Sequence, residues 1–177
     1  LQASRPLDER GDRSGESSSV ACAVKGILFD FDGTLADTME GHYRAWKSAL
    51  DEYGISIEAG DYYPLEGRGL HEVARGLATG PTWTAESIDG LVQKKKEHYV
   101  NRQTVTFFPG VELLISQLKD RKVPMAVVTS GHLDQLNLSV PGKFLEQFDV
   151  LITGEQFLKG KPDPEPYLQG VKALGLQ

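Results

Sequence analysis

The sequence predicts an α/β fold, a parallel-sheet core interrupted by an inserted all-helical segment. Three features predict it. An apolar run, Gly26-Ile27-Leu28-Phe29, stops at Asp30-Phe31-Asp32-Gly33-Thr34, the pattern of a buried parallel strand ending in a polar loop. Residues 54–108 carry helical periodicity and no strand periodicity. From Pro109 onward strands and helices alternate, as they do around parallel sheets.

In chain order, residues 1–22 are rich in Ser, Arg, Asp and Glu and read as a disordered tail. Asp8, Glu9, Asp12 and Glu16 argue against a transit peptide, which would be poor in acids. Residues 24–29 are the first strand. A helix over about 38–53 follows, with Met39, Tyr43, Trp46, Leu50 and Tyr53 as its apolar stripe. Leu70, Val73, Ala74 and Leu77 mark a second helix. Ile88, Leu91, Val92 and Tyr99 mark a third, over about 84–102. Lys94, Lys95 and Lys96 on that helix read as a solvated face. This helical insert, residues 37–107, has the character of a cap or lid, with Leu35–Asp37 and Phe107–Gly110 as its hinges. The core takes residues 23–36 and 108–177. In its second part, Val111, Leu114, Ile115 and Leu118 form a helix stripe, Val123–Val128 a strand, and residues 132–138 a short helix. Phe148–Ile152 is the third strand, and Tyr167, Leu168, Val171 and Leu174 mark the last helix.

The 177 residues carry a net charge of −6, which argues against nucleic acid or an anionic membrane as the main partner. Cys22 is the only cysteine, so no internal disulfide can form and a reducing, cytoplasmic setting is expected. It also sits in the tail, which removes a cysteine nucleophile from consideration. No apolar run approaches membrane-spanning length. The first residue is Leu1, so the sequence reads as processed or as a fragment.

Side chains two apart on a strand point the same way, so Asp30 and Asp32 aim two carboxylates at one spot past the strand's end. Gly33 allows a sharp turn there and leaves amides open to a ligand. Two carboxylates so placed call for a cation or a shared proton, and Mg²⁺ with a phosphate would resolve the conflict. The same residues also suit a plain Asp-Gly turn. In open α/β sheets ligands bind beyond the carboxyl ends of the strands. Those ends carry Asp30 and Asp32, then Thr129 and Ser130 with Gly131, and one loop later Lys161. This set suits phosphoryl transfer: Asp30 as nucleophile, Asp32 as general acid and base, Thr129 as a donor to a phosphoryl oxygen and Lys161 as its counter-charge. Thr38 and His42, four apart on the first helix, lie close to the carboxylates. Each piece has an alternative: Thr129 as a helix cap, Lys161 as a solvated lysine, His42 as a plain surface or core residue. Gly154 to Lys161 fails as a Walker-type loop, because Pro162 stands where Ser or Thr is needed.

Jointly, DFDGT (Asp30 to Thr34), VVTSG (ending Thr129-Ser130-Gly131) and GKPDPEPY (Gly160 to Tyr167) resemble the three first motifs of the haloacid dehalogenase superfamily. The helical insert and DTMEGHYRAW, Asp37 to Trp46, are similar to its branch of β-phosphoglucomutases and sugar-phosphate phosphatases. The resemblance implies a Rossmann-like core with an α-helical cap. It implies Asp30 as nucleophile and metal ligand, and Asp32 as acid/base that also gives its backbone carbonyl to Mg²⁺. Thr129 and Lys161 would hold the phosphoryl group. Gly33, Thr34, Thr38, His42, Ser130 and Gly131 would line or organise the substrate site. The implied partner is a small phosphorylated metabolite, a sugar or polyol phosphate, hydrolysed through an aspartyl-phosphate.

Two departures shape the expectation. Leu70 stands at the position of the mutase's cap arginine, with Arg68 two residues away, which favours hydrolysis over phosphoglucomutase activity. The fourth, acidic motif does not occur before Gln177. The core is therefore expected to be incomplete at its C-terminus, and the chain to be a fragment with weak activity, or one that binds phosphate or a partner without turnover.

Overall fold

The computed structural model describes residues 24–80, 83–100 and 105–176. The predicted tail, and the last two positions of the helix expected to reach 102, lie outside the described residues. The α/β fold is present. Strands β1 (Ile27–Phe29), β2 (Met125–Val128) and β3 (Val150–Ile152) form a three-stranded parallel sheet in the order β1-β2-β3. Ile27 pairs with Met125 and Phe29 with Val127; Ala126 pairs with Val150 and Val128 with Ile152. The central β2 is buried throughout, as its unbroken apolar run requires, while β1 is half-buried.

Between β1 and β2 come α1 (Met39–Asp51), α2 (Ala59–Tyr62) running into a 3₁₀ turn (Tyr63–Leu65), α3 (Leu70–Leu77), α4 (Ala85–Val100) and α5 (Val111–Asp120). Then α6 (Leu133–Ser139) and α7 (Gly142–Leu145) cross from β2 to β3, and α8 (Glu165–Ala173) packs against all three strands. The short α2 and α7 have too few turns to leave a periodic signature in the sequence.

Among the described residues there are two hydrophobic clusters. One gathers Phe31, Leu35, Ile115, Met125, Val127, Phe144 and Phe148 around the sheet. The other, with Trp46, Leu50, Val73, Leu77, Ile88, Leu91 and Val92, lies within α1 to α4. The chain passes between them through two segments that lie side by side: Asp37 donates to the Thr106 carbonyl at 2.9 Å and Phe108 to that of Leu35 at 3.1 Å. They overlap the segments Leu35–Asp37 and Phe107–Gly110.

Several predicted faces differ. Tyr53 lies beyond the end of α1 and is exposed; Ala45 and Ala49 take up the buried stripe with Trp46 and Leu50. Leu114 and Leu168 are exposed rather than packed, because Val111 and Ile115 on α5, and Pro166 and Gly170 on α8, are the inward rows. The lysine run of α4 is not a solvated face. Lys95 is 1% exposed, for it follows Leu91 and precedes Tyr99 by one turn each and so falls on the buried row. No helix of the described residues is long and apolar enough to cross a membrane.

Candidate active site

The loop after β1 folds around the Phe31 carbonyl, which accepts from the amides of Leu35 at 2.9 Å and Ala36 at 3.1 Å. Gly33, at φ 70°, makes the reversal that a side-chain-bearing residue adopts only under strain. Phe31 points into the sheet-side cluster, and Asp30 and Asp32 on either side of it both line a cavity of about 180 Å³. That volume is below the roughly 300–1,000 Å³ of sites for drug-sized ligands and suits a small molecule.

Asp30 Oδ1 accepts from its neighbour's amide, Phe31 N, at 2.8 Å and pairs with Lys161 Nζ at 2.7 Å. Lys161 also donates to the Val128 carbonyl at 2.9 Å, which pins the ammonium to the end of β2. Asp32 accepts three hydrogen bonds: Thr38 Oγ1 at 2.7 Å and His42 Nε2 at 2.9 Å on Oδ1, and Thr129 Oγ1 at 3.1 Å on Oδ2. Burial by itself would push the Asp32 carboxyl up. The His42 ring and the three donors outweigh it and hold the group well below the usual carboxylate range. Thr38 occupies the N-cap of α1 yet makes no side-chain cap bond, because its hydroxyl is committed to Asp32.

His42 stacks on Tyr99 at 4.2 Å between ring centroids, and its Nδ1 lies 3.0 Å from Lys95 Nζ. An ammonium only donates, so Nδ1 is the acceptor and Nε2–H faces Asp32. Burial and the neighbouring Lys95 push His42 below its ordinary value, against the pull of Asp32, in keeping with that neutral tautomer. Burial pushes Lys95 down to about 8, although Asp32 and Glu66 favour its charge. A continuous chain of donors thus runs from Lys95 through His42 to Asp32.

The predicted Ser130 and Gly131 line the cavity with Asp30, Asp32, His42 and Lys161. Thr129 is buried, and its Oγ1 also accepts from Gly131 N at 3.0 Å. Gly33 and Thr34 are exposed and do not line the cavity; they shape the turn. Sequence reasoning missed Lys95, Glu66 and Gln135, all on the cavity wall. Lys95 left a signal, its place on the apolar row of α4. Glu66 and Gln135 carry no periodic mark. Burial, then the facing Asp32, push Glu66 up to about 7, and its carboxylate takes the Tyr62 hydroxyl. Arg68 also lines the cavity but is paired with Glu72 at 2.5 Å. The stretch 66–69 touches the sheet-side loops: Ser130 Oγ donates to the Gly67 carbonyl at 2.5 Å. Beside this contact Lys96 Nζ meets His132 Nδ1 at 2.8 Å.

Residues 27–177 match the family model described as haloacid dehalogenase-like hydrolase. The chain belongs to the haloacid dehalogenase-like hydrolases. Hexitol phosphatase A of Escherichia coli (strain K12) is 31% identical over 154 residues, spanning 86% of this chain and 69% of that protein. Beta-phosphoglucomutase of Bacillus subtilis (strain 168) is 24% identical over 160 residues, 85% of this chain and 70% of that one. The crystal structure of CbbY from Rhodobacter sphaeroides in complex with phosphate superposes with a TM-score of 0.74 at 27% identity, covering 87% of this chain and 74% of that one. Membership and named phosphatase relatives make this chain a phosphatase-type hydrolase of the haloacid dehalogenase-like family.

A divalent cation fits the donor set. Hard cations take oxygen ligands, and the Asp30 carboxylate is partly open to the cavity, its side chain 32% exposed. The Asp32 carboxylate, by contrast, is already committed to three donors.

Proposed function

We propose that the chain is a Mg²⁺-dependent phosphomonoesterase that hydrolyses a small phosphorylated sugar or polyol through an aspartyl-phosphate on Asp30. The observation that carries this reading is the Asp30–Lys161 pair at 2.7 Å beside an Asp32 held by Thr38, His42 and Thr129 at the ends of adjacent parallel strands. A carboxylate oxygen of Asp30 attacks phosphorus as the bond to the ester oxygen breaks. Lys161 neutralises the equatorial oxygens, assisted by the Ser130 and Gly131 loop. Asp32 protonates the departing alkoxide, having taken its proton from His42 Nε2, which Lys95 replenishes through Nδ1. Asp32 then accepts a proton from the water that attacks the acyl phosphate, which restores Asp30 and frees inorganic phosphate. Mg²⁺, held by Asp30 and the Asp32 carbonyl, would supply charge stabilisation to the phosphoryl group. Residues 37–107 act as a cap: they carry their own apolar cluster and meet the sheet-side loops through Gly67 and Lys96.

A mutase must hold a second phosphate from the cap. Here Leu70 lines the cavity at the relevant position and Arg68 is engaged by Glu72, which favours hydrolysis. The test is release of inorganic phosphate from a panel of sugar and polyol phosphates, with Mg²⁺ and with a chelator. Turnover is expected only with the metal, and Asp30→Asn is expected to abolish it. A phosphorylated product isomer without free phosphate would establish the mutase instead, and normal turnover by Asp30→Asn would remove the covalent mechanism.

A further inference from the structure

Gln135 on α6 is 5% exposed, and among the described residues its Nε2 has no hydrogen-bond partner. A buried amide without a partner is destabilising, and native proteins keep such groups seldom. This one lies where the main cavity meets a smaller one of about 20 Å³ beneath Asp32, His42 and Thr129. Glu66, whose carboxylate is steadied by the Tyr62 hydroxyl, lines the same main cavity from the helical segment.

We propose that Gln135, with Glu66 as its counterpart, recognises a hydroxyl of the uncharged part of the phosphate ester and so selects polyol-like substrates. The inference rests on the phosphatase reading and adds the recognition groups. The phosphoryl end already has Lys161, Ser130 and Gly131. A neutral amide donor that shares its cavity with the acids Asp32 and Glu66 suits a neutral oxygen and disfavours a second anion there. A site that offers an unpaired polar group to a substrate hydroxyl also discriminates strongly against analogues lacking it.

The test measures binding by calorimetry in an Asp30→Asn background, which leaves the ligand intact. The probes are sorbitol 6-phosphate and inorganic phosphate. Gln135→Leu is expected to weaken the hexitol phosphate about tenfold or more and leave inorganic phosphate within about twofold. The same substitution removes an unpaired polar group, so the melting midpoint is expected to rise by about 2–4 °C. Gln135→Met, pliant and nearer in length, repeats the measurement if leucine packs poorly. Unchanged hexitol phosphate binding would overturn the proposal. Equal weakening of both probes would make Gln135 a phosphate clamp, and a fall in melting midpoint would make it structural; either overturns it too. A wild-type chain that frees no phosphate from any ester would refute the phosphatase reading and leave these binding outcomes standing.

Discussion

Asp32 is the residue on which most of the site's polar groups converge, and its surroundings explain the identity of its neighbours. Three donors keep it ionised, which prepares a base and starves an acid. Under the proposed mechanism the proton it gives to a leaving group has to arrive from elsewhere, and the Lys95–His42 chain of donors reaches it. This makes Lys95 testable. In the wild type, turnover is expected to fall as pH rises through about 8, where Lys95 loses its proton. Lys95→Met, similar in length, is expected to lower kcat by about 10²–10⁴-fold and to erase that alkaline limb. An unchanged pH–rate profile in the variant would exclude the relay. At this scale the sequence was partly transparent. Asp30, Asp32 and Thr129 follow strand ends that periodicity locates, and Lys161 lies one loop later. Lys95 was hidden in a lysine run whose solvent-facing appearance the helix row contradicts.

The elements that position the site are loops braced against each other more than by their own geometry. Gly154 follows β3 and donates to the Gly131 carbonyl at 2.9 Å, holding the β2 and β3 loops together. A Cβ at Gly154 would stand 2.5 Å from the Ser130 carbonyl oxygen, a backbone atom that cannot turn aside. Gly154→Ala is therefore expected to destabilise by about 1–3 kcal/mol and to displace the Thr129–Gly131 loop. Denaturant melts and phosphate binding check both; a variant as stable as the wild type, with unaltered binding, would show that the loops can separate freely. The helical segment is a different case. It has its own cluster around Trp46 and Leu91, and it meets the sheet side through the Thr38 and His42 bonds to Asp32, the Gly67 and Lys96 contacts, and the paired connections at Leu35–Asp37 and Thr106–Phe108.

For the whole molecule, the enclosed acids make stability depend on pH. Glu66 has its folded pKa raised from 4.5 to about 7, so its favourable contribution is fully present below 4.5 and is lost as pH rises through about 7. That loss amounts to about 3 kcal/mol. Glu66→Gln is expected to flatten the decline in melting midpoint between pH 4.5 and 7 relative to the wild type; parallel curves for the two proteins would mean that Glu66 ionises freely in the fold. The sequence by itself determined the α/β alternation, the helical insert, the placement of the acids and Thr129 past strand ends and that of Lys161 one loop later, because period and strand direction are local properties. Only the tertiary structure decided that Lys95, Glu66 and Gln135 join them. Their sequence neighbours do not mark them, and their burial arises from the closure of α3, α4 and α6 over one cavity, a long-range event that no window of sequence contains.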